Sequence, residues 1–150
     1  MPHFTLQLDP INGPLLTAFI GISAARAMVL QSAKKPVPTS FQARALVDTG
    51  ASCACVDPMI IQHLGLDPRG KTAMATPSTD PGQNKEVDQY DVSILIASAP
   101  NQFPHIIPTI PVIETPLFAK FGYHAILGRD VLSSIHFTYN GAMRLFTFAY

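Results

Sequence analysis

The chain has 150 residues, 47% of them hydrophobic, which is enough for one domain with a packed core and short for two. Ten basic residues balance ten acidic ones, so the chain carries no electrostatic footprint for nucleic acid, for an anionic membrane or for a basic partner. Its two cysteines, Cys53 and Cys55, stand too close for an ordinary stapling disulfide, which points to a reducing, cytoplasmic setting.

The first residues, Met1-Pro2-His3-Phe4-Thr5, lack the cationic start and apolar run of a signal peptide. Fourteen prolines and nine glycines divide the chain into short segments that mostly alternate in hydrophobicity with a period of two, so the fold is read as all-β with one or two short helices. Phe4, Leu6 and Leu8 form a first strand. A turn over residues 9–14 leads to a second strand over 15–23. Residues 14–30 are apolar, but Thr17, Ser23 and Arg26 interrupt them and they are short of a membrane span, so they are assigned to the core. The pattern of 24–31 fits neither helix nor strand decisively, and Pro36 and Pro38 break any regular element before a strand over 41–47.

The clearest helix follows. Asp57 suits an N-cap, Pro58 the first helical position and Gly65 a left-handed C-terminal cap, with Leu66 folding back and Ile60, Ile61 and Leu64 on one buried face. Residues 67–86 turn polar around Pro81-Gly82, as in a projecting hairpin loop. Tyr90, Val92, Ile94 and Ile96 alternate as a half-buried strand. Residues 106–113 are apolar but contain Pro108 and Pro111, which would place a strand there on an edge. A short helix is expected over 130–135, and Asn140-Gly141 is the strongest hairpin turn signal in the chain.

Chemistry concentrates at Ala45-Leu46-Val47-Asp48-Thr49-Gly50-Ala51-Ser52, where an apolar strand delivers a carboxylate onto a tight turn of small residues. A rigid strand holds such an acid in place, and Gly50 lets a second backbone approach. Taken alone, Asp-Thr-Gly more often marks a surface turn in which Asp bonds its own backbone. Farther on, Ala125-Ile126-Leu127-Gly128-Arg129-Asp130-Val131-Leu132 sets two apolar residues and a glycine before an arginine and an acid that open a helix. These two segments, in this order, resemble the two landmarks of the retropepsin-like aspartic proteases. The resemblance runs from about Phe41 to the C-terminus and leaves residues 1–40 as an atypical N-terminal extension of a single domain, 1–150.

The resemblance implies a single-lobe closed β-barrel that forms a two-fold symmetric homodimer. It implies that Asp48 is the catalytic carboxylate, that Thr49 locks the two active-site loops together and that Gly50 brings the substrate backbone close. Ala51, Ser52 and Ile126 would line the cleft, Leu127 and Gly128 would pack beside the loop with Arg129, and a flap including Asp80, Pro81, Gly82 and Gln83 would close over a peptide or protein substrate. Two adjacent carboxylates share a proton, one acting as base on a water and the other as acid, with neither metal nor other cofactor. The chain contains one Asp-Thr-Gly, so the second acid would be Asp48 of an identical subunit. The rival reading is a dimeric peptide-binding scaffold of the same fold with weak or no catalysis. A monomeric apolar-ligand barrel is a more distant one.

The chain departs from the family pattern in three places. The flap segment holds one glycine, Gly82. Ser52 and Cys53 stand where many members have an acid that pairs with the arginine, which leaves the partner of Arg129 open. The helix after Cys55 and the Asn140-Gly141 hairpin lengthen the chain. Cys53 and Cys55 lack the further ligands of a zinc site and read as small packed residues, the five histidines form no metal-binding pattern, and Asp130 reads as a cap or ion-pair partner rather than a second catalytic acid.

Overall fold

The computed structural model describes residues 1–75, 84–97 and 102–150. Among the described residues ten strands and four helices follow one another: β1 (His3–Gln7), β2 (Leu15–Ile22), α1 (Ala24–Ser32), β3 (Phe41–Val47), β4 (Cys55–Val56), α2 (Pro58–Leu64), β5 (Gly70–Met74), β6 (Lys85–Ile96), β7 (His105–Glu114), α3 (Phe118–Phe121), β8 (Ala125–Leu127), α4 (Arg129–Leu132), β9 (His136–Asn140) and β10 (Leu145–Ala149).

Six strands close on themselves. β2 lies antiparallel to β3, β3 parallel to β8, β8 antiparallel to β4, β4 parallel to β7 and β7 antiparallel to β6, which returns antiparallel to β2. The inward residues Ile20, Val92, Ile94, Ile96, Val112 and Leu127 are almost completely buried. β5 extends the long β6 outside the ring, from Gly70↔Gln89 to Met74↔Lys85. A second sheet, in the order β1-β10-β9, joins the two ends of the chain. Phe4 stacks on Phe148 at 5.6 Å between ring centroids, and Phe146 and Phe148 are fully buried against the barrel.

The architecture is the closed, mostly β fold expected, with four short helices among the described residues rather than one or two. The undecided segment after β2 is α1, whose Ser23 hydroxyl accepts from the Arg26 N–H at 3.3 Å. None of its residues is fully buried, which is why its pattern carried so little signal. α2 has the expected caps: Asp57 accepts from the Met59 N–H, Pro58 opens the helix, and Gly65 sits at φ 59°. The expected helix over 130–135 is the shorter α4. The flanks of the polar segment 67–86 are strands, β5 and the start of β6, while Asp80, Pro81, Gly82 and Gln83 lie outside the described residues.

Two strand expectations need correction. β7 is not an edge of the barrel; it lies between β4 and β6. β4, however, has two residues and meets β7 only at Ile113 and Glu114, so the stretch with Pro108 and Pro111 is paired on the β6 side alone. Asn140-Gly141 does not form a two-residue turn. The connection runs to Arg144, which takes the left-handed conformation at φ 56°, and Asn140 Oδ1 accepts from the Met143 N–H.

Candidate active site

β3 and β8 run side by side in the same direction, with Ala45 opposite Ala125, Leu46 opposite Ile126 and Val47 opposite Leu127. Asp48 and Gly128 therefore leave the barrel together. The Asp48 N–H continues the ladder by donating to Leu127 O at 3.0 Å. Beyond it the chain turns sharply: Asp48 Oδ1 accepts from the Gly50 N–H at 2.8 Å, and the Ala51 N–H donates to Asp48 O at 3.3 Å. The local Asx turn and the delivered carboxylate are one feature, since the turn fixes one oxygen of Asp48 in place.

The second landmark clamps this loop. The Arg129 N–H donates to Ala51 O at 2.9 Å, and one guanidinium nitrogen donates to Thr49 O and Gly50 O at 3.0 and 3.2 Å. Asp130 Oδ2 accepts from the Ala54 N–H and its Oδ1 from the Val131 N–H, each at 2.8 Å. Arg129 and Asp130 thus hold opposite halves of the segment 49–54, with the positive charge on carbonyls and the negative charge on an amide. Gly128 is required by closeness: a Cβ there would stand 2.6 Å from Cys53 O and 3.0 Å from Ala51 O.

A cleft of about 390 Å³ opens at the turn, lined by Asp48, Gly50, Ala51, Ser52 and Ile126 among others. Five of the residues singled out in the sequence therefore share one cavity. Thr49 is exposed and meets Arg129 through its backbone. Leu127 is fully buried in the barrel core. The cleft also takes Cys53, Cys55, Met74, Ala75, Ile113 and Thr115, which sequence reasoning left out. Cys53 and Cys55 reach the cleft through the bend after Ala51 and the start of β4. Ile113 and Thr115 arrive through the pairing of β4 with β7, which no local pattern announces.

Burial lifts the Cys55 thiol to about 12, helped by Cys53 and Asp130, while the Thr115 hydroxyl works against it. Tyr123, buried just before β8, is raised by desolvation and by its proximity to the Asp48 carboxylate. Ile113, Cys55 and Tyr123 belong to a small apolar cluster beneath the cleft, distinct from the main core.

No family model matches the chain, and no curated protein matches it. Among solved structures it is similar to the crystal structure of a retropepsin-like aspartic protease from Rickettsia conorii, with a TM-score of 0.59 and 16% identity over 99% of this chain and 90% of that one. A second similarity is to the EIAV protease in complex with the inhibitor HBY-793, with a TM-score of 0.45 and 17% identity over 86% of this chain and 93% of that one. The fold of this chain is retropepsin-like. In this chain β2 closes the barrel and β1 joins the terminal sheet. Among the described residues no helix is long and apolar enough to cross a membrane.

Proposed function

We propose that this chain, as one domain over 1–150, is a subunit of an aspartic endopeptidase that hydrolyses peptide bonds with two Asp48 carboxylates, one from each member of a homodimer. One observation carries the reading: Asp48 is held at the paired ends of β3 and β8 and opens on a cleft with apolar walls. A rigidly placed acid beside a cleft that admits a side chain is what hydrolysis of an extended peptide requires.

In the dimer the two carboxyls are close enough that one stays protonated. The ionised one removes a proton from a water as the water oxygen bonds to the scissile carbonyl carbon. The protonated one gives its proton to the carbonyl oxygen. The resulting diol collapses as the C–N bond breaks, and the amine leaves with a proton returned from the pair. Thr49 and Gly50 form the loop that meets its symmetry mate and the substrate backbone, while Ala51, Ser52 and Ile126 contact substrate side chains. Two unpaired thiols, Cys53 and Cys55, suit a reducing cytoplasm.

The test compares the wild type with Asp48→Asn on a peptide library from acidic to neutral pH. Cleavage by the wild type and none by the variant is expected. Equal cleavage by both removes Asp48 from the reaction, and binding without cleavage by either favours the peptide-binding scaffold. Sedimentation under assay conditions must show a dimer, because an active monomer contradicts a shared carboxylate pair.

A further inference from the structure

The cleft beside Asp48 contains an unsatisfied polar group. Thr115 lines it in company with Met74, Ile113 and Ile126, and its backbone N–H donates to Val56 O at 2.9 Å, which fixes where the residue stands. Its hydroxyl oxygen is closed off from solvent and makes no hydrogen bond of sound geometry among the described residues, its nearby polar neighbour being the Cys55 thiol. The neighbouring Cys55 thiol is turned to Cys53 O at 3.7 Å, and a neutral thiol is in any case a weak partner. Buried hydroxyls are nearly always bonded, so one left without a partner at a cleft wall calls for a reason. Rotation about the Thr115 Cα–Cβ bond between staggered positions exchanges methyl and hydroxyl and can turn the oxygen to the cleft.

We propose that Thr115 determines specificity: its hydroxyl takes the hydrogen bond it lacks from the polar tip of a substrate side chain, so the preferred peptide places threonine, serine or asparagine in this pocket. The inference rests on the endopeptidase reading and deepens it. Met74, Ile113 and Ile126 set an apolar sleeve around the stem of that side chain. A hydroxyl both donates and accepts, so hydroxyl and amide tips are matched, whereas a valine of the same shape leaves Thr115 unbonded. A site built around a hydrogen bond discriminates against the isostere that lacks it.

The experiment uses peptide pairs that differ only as threonine or valine, scanned through each position flanking the cleaved bond. At one position the wild type should favour threonine roughly tenfold in kcat/KM. Thr115→Val should abolish that preference while Thr115→Ser keeps it. The urea midpoint of Thr115→Val should equal or exceed that of the wild type, because no more than a weak contact with the Cys55 thiol is removed. A wild type indifferent to threonine at every position overturns the proposal, as does a preference that survives in Thr115→Val or a lowered midpoint for that variant. Should the wild type cleave nothing, the endopeptidase reading fails by itself. The pocket is then judged by the dissociation constants of the same pairs carrying a reduced, uncleavable amide, with the same tenfold ratio expected and its absence overturning the proposal.

Discussion

Arg129 donates from one guanidinium nitrogen to two successive backbone carbonyls, those of Thr49 and Gly50. Ser52 and Cys53 offer this arginine no carboxylate, and it binds the loop backbone instead. Arg129→Ala removes both bonds and leaves two carbonyls that water can partly satisfy, so the expected cost is about 1–2 kcal/mol in urea unfolding. Arg129→Lys keeps a charge but not the rigid fork and should recover part of it. Because the bonds hold the loop rather than the core, peptide hydrolysis should fall more steeply than stability. A variant with wild-type kcat/KM would show that the loop holds its shape without the arginine.

Gly128 is a steric requirement. Its backbone angles, φ −84° and ψ −172°, are open to any residue, yet an added Cβ would lie 2.6 Å and 2.7 Å from the Cys53 carbonyl atoms. Those atoms are backbone, tied down through Ala54 to Asp130, so they cannot swing aside as a flexible side chain would. Gly128→Ala should destabilise the fold by about 2–3 kcal/mol by forcing the loop and β8 apart. Equilibrium denaturation measures this. An unchanged midpoint would mean that the 51–54 backbone yields freely.

Asp57 predicts an acid-sensitive component of stability. Burial works to raise its pKa, but the N–H groups of Phe118, Leu117 and Met59, with His124 nearby, outweigh burial and hold the carboxyl below its ordinary value. A carboxyl depressed in the folded state stabilises it above the unfolded value, about pH 4, and that contribution is lost as pH falls through the folded pKa. Asp57→Asn places an amide where two N–H groups need one acceptor oxygen and should cost about 2 kcal/mol at pH 7. The gap between variant and wild type, read from urea midpoints, should narrow below pH 4. A gap constant from pH 7 to pH 3 would mean that ionisation of Asp57 does not matter.

The same residue shows what a sequence can and cannot reveal. Its capping of α2 is local, and Asp57, Pro58 and Gly65 were readable because each type suits one backbone conformation at one helix position. Its bonds to Leu117 and Phe118, 60 and 61 residues on, depend on tertiary placement and leave no trace in the spacing. Asp48 and Gly128 lay in the same position: each segment carried its own signal, and their parallel pairing came only with the barrel. α1 was obscure because a Ser23 cap, not a buried stripe, defines it. Asn140-Gly141 misled on detail because the left-handed residue fell at Arg144, past the favoured pair. β2 was recognised as a strand, while its double pairing with β3 and β6 is a closure that alternation does not encode.

Cys53 and Cys55 should differ sharply in reactivity although both line the cleft. Cys55 is buried, its thiol is lifted to about 12, and its sulfur is turned to the Cys53 carbonyl. At neutral pH almost none of it is thiolate, the form that reacts with alkylating reagents and disulfides. Cys53 is half-exposed. Native protein treated with iodoacetamide at pH 7.5 should therefore be modified once, at Cys53, with Cys55 following only after unfolding, as mass spectrometry of proteolytic fragments will reveal. The adduct on Cys53 stands in the cleft next to Ser52, so alkylation should suppress peptide hydrolysis, and prior occupation by a tight-binding peptide should protect the thiol. Equal labelling of both cysteines in the native state would contradict the burial of Cys55, and full activity after stoichiometric labelling of Cys53 would place the substrate path elsewhere than along this wall.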